Sequence, residues 1–175
     1  EKNFVEDDVQ SIYKTSTDHG FITLAQTCGL KNDSVFFGLA YNAEFYLART
    51  EFGKKDHRSE EVNFEKVVEE LYMLGVRLIN VSLSYTDNFE DEAEKYSKED
   101  INGKTAYITK VCNKWAEKGV IFIVGAGNKG LNSWKILGAP ADAKNVITVG
   151  ATGPPISKIA ELNERTVFKA GFSSK

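Results

Sequence analysis

The chain has 175 residues, which is long enough for one domain with a substantial core and too short to argue for two. Its 42% hydrophobic and 27% charged residues are typical of a globular protein, so the composition gives no reason to expect disorder. The 25 acidic and 22 basic residues are scattered and leave a net charge of -3, so we expect no nucleic-acid partner. No apolar run approaches the ~20 residues of a spanning helix, and we expect no membrane insertion.

The first notable segment is Asp18-His19-Gly20, which opens an apolar stretch that ends at Ala25. We expect a helix to begin here with Asp18 as its N-cap. A histidine in this place can project its imidazole into a cleft, and Gly20 would let a neighbouring backbone approach closely. The motif alone also fits a structural histidine.

Strands and helices are then predicted to alternate. A candidate strand over 44–48 is followed by strands over 76–83, 120–124 and 146–149, which are short, apolar and bounded by Gly, Ser or Ala. Their near-continuous apolar character predicts burial on both faces. Two helical faces lie between the strands and end at glycine; their apolar positions are Val67, Leu71 and Leu74 before Gly75, and Ile108, Val111, Cys112 and Trp115 before Gly119. This order predicts an α/β fold with a doubly wound, mostly parallel sheet and functional loops at the carboxyl ends of its strands.

The acidic insert over 87–100 is interpreted as a solvated surface loop. Its carboxylates would suit calcium, but their spacing matches no known calcium loop, so no cofactor is indicated by a motif. The two cysteines, Cys28 and Cys112, are too few and too far apart for a disulfide framework or a zinc site. We expect buried thiols.

The segment 125–130 has the pattern G-x-G-x-x-G after a strand, which is the pattern of dinucleotide-binding proteins. A phosphate cradle needs a helix that continues from the glycines, and here the chain leads instead to Gly138-Ala139-Pro140. The expected ribose-binding acid is also absent, which excludes a nucleotide site. Asn128 in this segment could donate its side-chain NH2 to an oxyanion, or it could simply form a turn with its glycines.

Four segments in one order carry a resemblance to a known family. They are DHGF at 18–21, GLAYNAEFYLAR at 38–49, GVRLINVSLS at 75–84, and GVIFIVGAGNKG at 119–130, which LGAPADAKNVITVGAT follows at 137–152. Their order and spacing resemble the subtilisin-like (S8) serine peptidases over most of residues 16–174. The closing Gly171-Phe172-Ser173-Ser174 resembles the family's FSS segment. The resemblance implies that residues 1–175 are a partial, three-layer catalytic domain of this family.

The resemblance also implies roles for individual residues. His19 matches the family's catalytic histidine, which takes the proton of the serine and later gives it to the leaving amine. Asn128 matches the asparagine that donates to the oxyanion. Substrate-binding positions are matched by the strand end Ser82-Leu83-Ser84, which pairs with the substrate backbone and walls the S1 pocket, and by the opposite wall Gly125-Ala126-Gly127.

Lys129 follows the matched asparagine at the rim of S1. We hypothesise that it favours an acidic or polar P1 residue by Coulomb attraction, worth ~1 kcal/mol at a solvated site. The alternative is a solvated surface lysine. His57, the other histidine, lies in the charged segment 54–61, where we expect a surface role.

Three departures from the family affect the mechanism. Phe21 stands where Thr usually follows His-Gly, Tyr41 replaces a frequent Pro, and Ser84 replaces a Gly that commonly walls S1. We expect a narrower S1 entrance from Ser84. The first two departures are compatible with simple divergence and with a degenerate, non-catalytic relative.

The family's triad runs Asp, His, Ser along the chain, and only eighteen residues precede His19. Asp7 and Asp8 follow no strand-like run and are interpreted as surface acids. The nucleophile should follow the FSS segment within a Gly-Thr-Ser motif, so neither Ser173 nor Ser174 is assigned to that role.

The leading hypothesis is therefore the central segment of a serine endopeptidase that acts on peptides or proteins. Its other partners would be the missing parts of its own catalytic domain, and by itself the segment would be inactive. The alternative is a catalytically inactive domain of the same fold that binds peptides or serves as an interaction module. Localisation follows from the resemblance alone, which implies a secreted, periplasmic or cell-envelope protein.

Overall fold

The computed structural model describes residues 2–5, 18–31, 35–36, 38–53, 55–153, 168–170 and 172–174. The described elements follow one another along the chain in α/β order. They are β1 (Lys2–Asn3), α1 (His19–Cys28), β2 (Leu30–Lys31), β3 (Val35–Phe36), β4 (Ala48–Arg49), α2 (Arg58–Met73), β5 (Leu78–Val81), α3 (Tyr107–Ala116), β6 (Ile121–Gly125), β7 (Ile147–Val149), β8 (Thr152–Gly153) and β9 (Phe168–Lys169).

A parallel sheet forms the centre of the described structure. Strand β6 lies between β5 and β7, with Leu78 opposite Ile121 and Ile123 opposite Ile147. Strand β4 pairs in parallel with β1, while β2–β3 and β8–β9 are short antiparallel pairs. These parallel strands, with helices between them, confirm the predicted α/β class and the mostly parallel sheet.

Helices α2 and α3 cover one face of the central sheet. This face carries Ile79 and Val81 of β5 and Phe122 and Val124 of β6, all of them buried. The ring of Phe64 on α2 lies 6.4 Å from that of Phe122. The predicted α3 face, Ile108, Val111, Cys112 and Trp115, is buried against the same strands as expected. Packing of α2 and α3 therefore fixes which edge of the sheet carries the loops after β5 and β6.

Both helices end at the predicted glycines. Gly75 and Gly119 have φ values of +91° and +89°, which side chains other than glycine adopt only with strain. After α3, the Val120 N–H donates to the Trp115 carbonyl at 3.1 Å, and after α2 the Val76 N–H donates to Leu71 in the same way at 2.9 Å. Each glycine thus closes a Schellman motif and turns the chain directly into the following strand.

The prediction that the strands are buried on both faces is wrong for the described residues. Leu78 is 63% exposed, and Ile121, Ile147 and Val149 on the same face are also exposed. The helices described here pack on one face, so alternate residues of each strand remain uncovered. Strand boundaries also differ, since the residues predicted as a strand over 44–48 reach strand geometry in β4, at Ala48–Arg49.

The acidic insert is more structured than predicted. It contains two short 3-10 helices, Glu92–Glu94 and Lys98–Asp100. Phe89 and Tyr96 within it are buried and pack edge to face, with ring centroids 5.5 Å apart. Two aromatic side chains of the insert are therefore part of the core. The prediction of a surface loop considered only its charged residues.

Both cysteines are free thiols, as predicted. Cys112 is buried in the core, and burial raises the pKa of its thiol. Cys28 is half-buried near the end of α1, where its thiol donates to the Leu24 carbonyl at 3.4 Å. Asp7 and Asp8 lie outside the described residues.

Candidate functional site

His19 is the first residue of α1, as predicted for a helix that opens at this histidine. Asp18 occupies the N-cap position, but its side chain makes no capping hydrogen bond. The His19 imidazole is exposed, and its Nε2 lies 3.1 Å from the Ser82 carbonyl oxygen. In the part of the chain that the structure describes, no atom lies within 4 Å of the place where a Gly20 Cβ would stand, so the close approach expected at that glycine is not seen there.

The segment Ser82–Ser84 follows the carboxyl end of β5. The Ser82 hydroxyl accepts a hydrogen bond from the Asn80 side-chain amide at 3.1 Å. Leu83 is half-buried against the core, and the buried Ser84 hydroxyl has no hydrogen-bond partner among the described residues. An unsatisfied buried hydroxyl is uncommon and destabilising. Ser84 therefore offers a hydroxyl at the edge of the sheet whose hydrogen-bonding capacity is not used by the described residues.

The segment Gly125–Lys129 follows the carboxyl end of the neighbouring strand β6. Gly127 has a φ of +92°, and a Cβ placed there would stand 3.1 Å from the Ser84 hydroxyl and 3.3 Å from that of Ser174. Its carbonyl accepts from the Ser174 N–H at 3.0 Å. Only glycine fits this position, because the backbone is left-handed and two hydroxyls approach it.

Asn128 is exposed next to this glycine. The following residue, Lys129, donates its backbone N–H to the Ser174 hydroxyl at 3.1 Å, which ties the loop to the segment 172–174. The Lys129 ammonium lies 3.9 Å from a carboxylate oxygen of Asp87, so part of its charge is balanced within the chain. The structure thus brings three predicted segments, 82–84, 125–129 and 172–174, to one edge of the sheet.

His19 and Asn128 do not touch each other directly. Parallel strands end at the same edge of a sheet, so the loops after β5 and β6 are neighbours. His19 reaches this edge through its contact with Ser82, and Asn128 reaches it through Gly127, which lies against Ser84. The predicted base and oxyanion donor therefore lie on the two sides of one segment, 82–84.

A large cleft opens beside His19. Its volume is about 920 Å³. Its walls include the first turns of α1, the chain from Leu47 to Gly53, the apolar face of α2 and β5 with the following Ser82 and Leu83. Among the described residues, β4 and β5 contribute to two separate sheets, and the cleft lies between them.

Three carboxylates form a cluster at the end of β4. Carboxylate oxygens of Glu51, Asp56 and Glu60 all lie within 4.8 Å of one another. The two Glu60 oxygens accept from the backbone N–H groups of Phe52, at 2.7 Å, and His57, at 3.0 Å. Because internal hydrogen bonds explain this arrangement, we assign no metal site to it.

Burial makes Glu51 the most perturbed member of this cluster. Loss of solvent, followed by repulsion from Glu60, raises the pKa of its carboxyl to about 7. Its Oε1 accepts a hydrogen bond from the Tyr85 hydroxyl at 2.5 Å. Burial also raises the pKa of Asp56 and Glu60. Sequence reasoning missed this cluster. The available signal was a pair of acids, Glu51 and Asp56, shortly before an amphipathic helix that has a third acid, Glu60, in its first turn.

A second buried acid, Glu61, was also missed. It accepts hydrogen bonds from the Tyr96 hydroxyl at 2.8 Å and the Ile108 N–H at 3.2 Å, and it pairs with Arg58. The Arg58 guanidinium stacks over Phe89, 4.9 Å from the ring centroid. His57 precedes Arg58 as the N-cap of α2, so the second half of the predicted charged loop over 54–61 is the first turn of a helix.

Comparison with known proteins identifies the family of the chain. Residues 1–169 match the family model Peptidase S8, described as the subtilase family. A search of curated proteins finds no significant match. Two solved structures share the fold at 19% sequence identity: the prenylagaramide maturation protease PagA, with a TM-score of 0.55, and a mutant of the protease domain of PatA, with a TM-score of 0.56.

The two structural comparisons cover 86% of this chain. They cover only 44% of the PagA chain and 45% of the PatA chain, so this chain spans less than half of either. No helix among the described residues has the length and apolar character needed to cross a membrane.

Proposed function

This chain belongs to the subtilase family, and from that premise we propose that it is the central part of a serine endopeptidase catalytic domain. In this proposal His19 is the general base and Asn128 donates to the oxyanion. The main observation in support of this proposal is the arrangement around Ser82–Ser84. His19 contacts the Ser82 carbonyl at 3.1 Å, and Gly127 packs against the Ser84 hydroxyl.

The position of His19 suits proton transfer. Its imidazole is exposed at a helix start, with Nε2 3.1 Å from the Ser82 carbonyl oxygen, and His19 lines a cleft of about 920 Å³. A general base must reach the proton that it takes, and an imidazole can accept and release it near neutral pH. His19 would take the proton of a serine hydroxyl and return it to the leaving amine.

The loop after β6 suits stabilisation of an oxyanion. Asn128 is exposed beside Gly127, whose lack of a side chain lets the loop pack closely against the Ser84 and Ser174 hydroxyls. A side-chain amide in this place would donate to the oxygen as negative charge develops in the transition state. Loss of the corresponding donor in subtilisin, which belongs to this family, costs about 10²–10³ in kcat.

We further propose that the triad aspartate and serine come from polypeptide outside residues 1–175. Both serines of the FSS segment already have structural partners: the Ser174 hydroxyl accepts from the Lys129 N–H, and the Ser173 hydroxyl accepts from the Ala151 N–H at 3.2 Å. Both are also buried, which argues against a nucleophilic role. The cleft between β4 and β5 has room for a further strand, whose carboxyl end would lie beside His19.

The substrate would be a peptide or protein bound along the strand end Ser82–Ser84, with Gly125, Ala126 and Gly127 as the opposite wall. The adjacent carboxyl ends of β5 and β6 support this placement. The Lys129 hypothesis about P1 remains a prediction, and the contact of its ammonium with Asp87 weakens the expected attraction. Secretion or attachment to the cell envelope likewise remains a proposal.

The proposed function is tested by covalent labelling of the full-length protein with a fluorophosphonate probe. We expect labelling of the wild type, its loss in His19→Ala, and labelling at an unchanged stoichiometry but a slower rate in Asn128→Ala. His57→Ala is the matched control, because this half-buried histidine lies outside the proposed site, and it should label normally. A full-length wild type that does not label, while it remains folded, would contradict the proposal and favour a peptide-binding domain without catalysis.

A further inference from the structure

Tyr85 directly follows the proposed substrate-binding segment Ser82–Ser84. It is 1% exposed, and its ring packs against that of Phe89 with centroids 5.9 Å apart. Its backbone exchanges two hydrogen bonds with Ala139, since the Tyr85 N–H donates at 2.9 Å and the Ala139 N–H donates back at 3.0 Å. One side of the segment is therefore fixed by the backbone of the chain at 139.

The hydroxyl of Tyr85 fixes a different part of the molecule. It donates to Glu51 Oε1 at 2.5 Å, and Glu51 lies two residues after the end of β4. Glu51, Ser82 and Leu83 all line the cleft beside His19. This hydrogen bond therefore crosses from the β4 side of the cleft to the residue that follows the proposed substrate strand.

The acceptor, Glu51, belongs to the carboxylate cluster at the end of β4. Glu51 is close to Glu60 and Asp56, and Glu60 is itself fixed by two backbone N–H groups. Charged groups that act on this cluster from its other sides are His57, Lys55 and Lys129. A phenolic O–H that donates to a buried carboxyl makes a short, directional bond. It joins the residue that follows Ser82–Ser84 to the carboxylate cluster at the end of β4.

We propose that Tyr85 and Glu51 are positioning residues, whose hydrogen bond sets the place of the strand end Ser82–Ser84 and thereby the affinity for an extended peptide. The inference rests on the proposed role of this segment in binding the substrate backbone, and it does not require that the protein be catalytically active. Neither residue touches the reacting atoms. Their contribution lies in the orientation of backbone groups that must meet the peptide, and small errors in such orientation weaken binding.

The test measures binding separately from chemistry. In the full-length protein with His19→Ala, which removes the proposed base, fluorescein-labelled casein is titrated and its Kd is measured by fluorescence anisotropy. Tyr85→Phe in this background removes only the hydroxyl and should weaken binding by about three- to tenfold, the range that corresponds to the loss of one hydrogen bond.

A matched control is available in Tyr107. Its hydroxyl donates to the Glu65 carboxylate at 2.5 Å, and this pair joins α3 to α2 away from the cleft. Tyr107→Phe should leave the Kd unchanged. Glu51→Gln keeps an acceptor oxygen and should bind casein nearly as the parent does, whereas Glu51→Leu should match Tyr85→Phe. This rescue separates loss of the hydrogen bond from general loss of stability, which urea unfolding of each variant reports independently.

Each result bears on one proposal. An unchanged Kd in both Tyr85→Phe and Glu51→Leu would overturn the inference, and so would a His19→Ala parent that does not bind casein at all. A wild type that fails to react with fluorophosphonate contradicts the proposed catalysis, yet the expected loss of affinity in Tyr85→Phe would still support the positioning role.

Discussion

At the scale of single residues, buried acids are the feature that most distinguishes this chain from a simple hydrophobic core. Glu60 and Glu61 are both fully buried on the first turn of α2, and each is satisfied by donors from other segments. Removing one partner from such a group costs more than the pair contributes, because the other partner stays buried without solvent. The acids therefore fix the start of α2 relative to the segments at 52 and 108.

Glu51 should make stability depend on pH near neutrality. Folding raises the pKa of its carboxyl from 4.5 to about 7, so the folded protein holds this proton more tightly than the unfolded chain. Its contribution is fully present below the unfolded pKa, and it is lost as the pH rises through about 7. We expect the urea concentration at the unfolding midpoint of the full-length protein to decrease as the pH is raised from about 5 to about 8. The decrease should be smaller in Glu51→Gln.

The control for this prediction is Glu65→Gln. The hydrogen bonds from Lys114 and Tyr107 lower the pKa of Glu65, so its contribution has the opposite sign and is lost only as the pH falls. In Glu65→Gln, the urea midpoint should therefore decrease with rising pH as steeply as it does in the wild type. Equal declines in the wild type and Glu51→Gln would show that Glu51 does not carry the effect.

At the scale of elements, the glycines that end the helices determine the residue at which each following strand begins. The Schellman motif at Gly119 ends α3 and leads within two residues into β6, whose carboxyl end carries Asn128. A helix that continued past Gly119 would change the residue at which β6 begins. The residues after that strand would then meet Ser84 in a different register.

Gly119→Ala should destabilise the protein through its backbone alone. Nothing lies within 4 Å of the added Cβ, while the φ of +89° is unfavourable for alanine, so the expected cost is about 1 kcal/mol. Gly119→Asn should cost less, because asparagine tolerates left-handed geometry better. Urea unfolding measures both. Gly53→Ala is the control, since this glycine has open space and no positive φ, and a Gly119→Ala variant equal to it would contradict the prediction.

At the scale of the whole molecule, the central sheet is covered unequally. Its exposed face carries Leu78, Ile121, Ile147 and Val149 on three neighbouring strands, with Leu78 opposite Ile121 and Ile147 opposite Ile123, so the apolar surface is contiguous. Surfaces of this kind are uncommon on proteins that act alone. Because a contiguous apolar surface is unfavourable in water, we expect polypeptide outside the described residues to cover this face.

Ile121→Thr tests that expectation in the full-length protein. If the face is covered, the change should cost about 1–2 kcal/mol in the free energy of unfolding, because a buried apolar side chain becomes polar. Met73→Gln, at an exposed position near the end of α2, is the control and should stay within about 0.5 kcal/mol. Equal effects of the two changes on the urea midpoint would indicate that the sheet face remains open to solvent.

The sequence by itself determined the α/β class, the helix that begins at His19, the glycine ends of α2 and α3, and the resemblance of the chain to subtilases. Each of these depends on local signals, such as helical period, backbone preference and short segments in a fixed order. Tertiary structure alone decided that His19 contacts the Ser82 carbonyl, that the Tyr85 hydroxyl bonds to Glu51, and that Phe89 and Tyr96 are buried. These contacts join residues that are far apart in the chain. They depend on how the helices and strands pack together, and neither segment contains a local sequence signal for its partner.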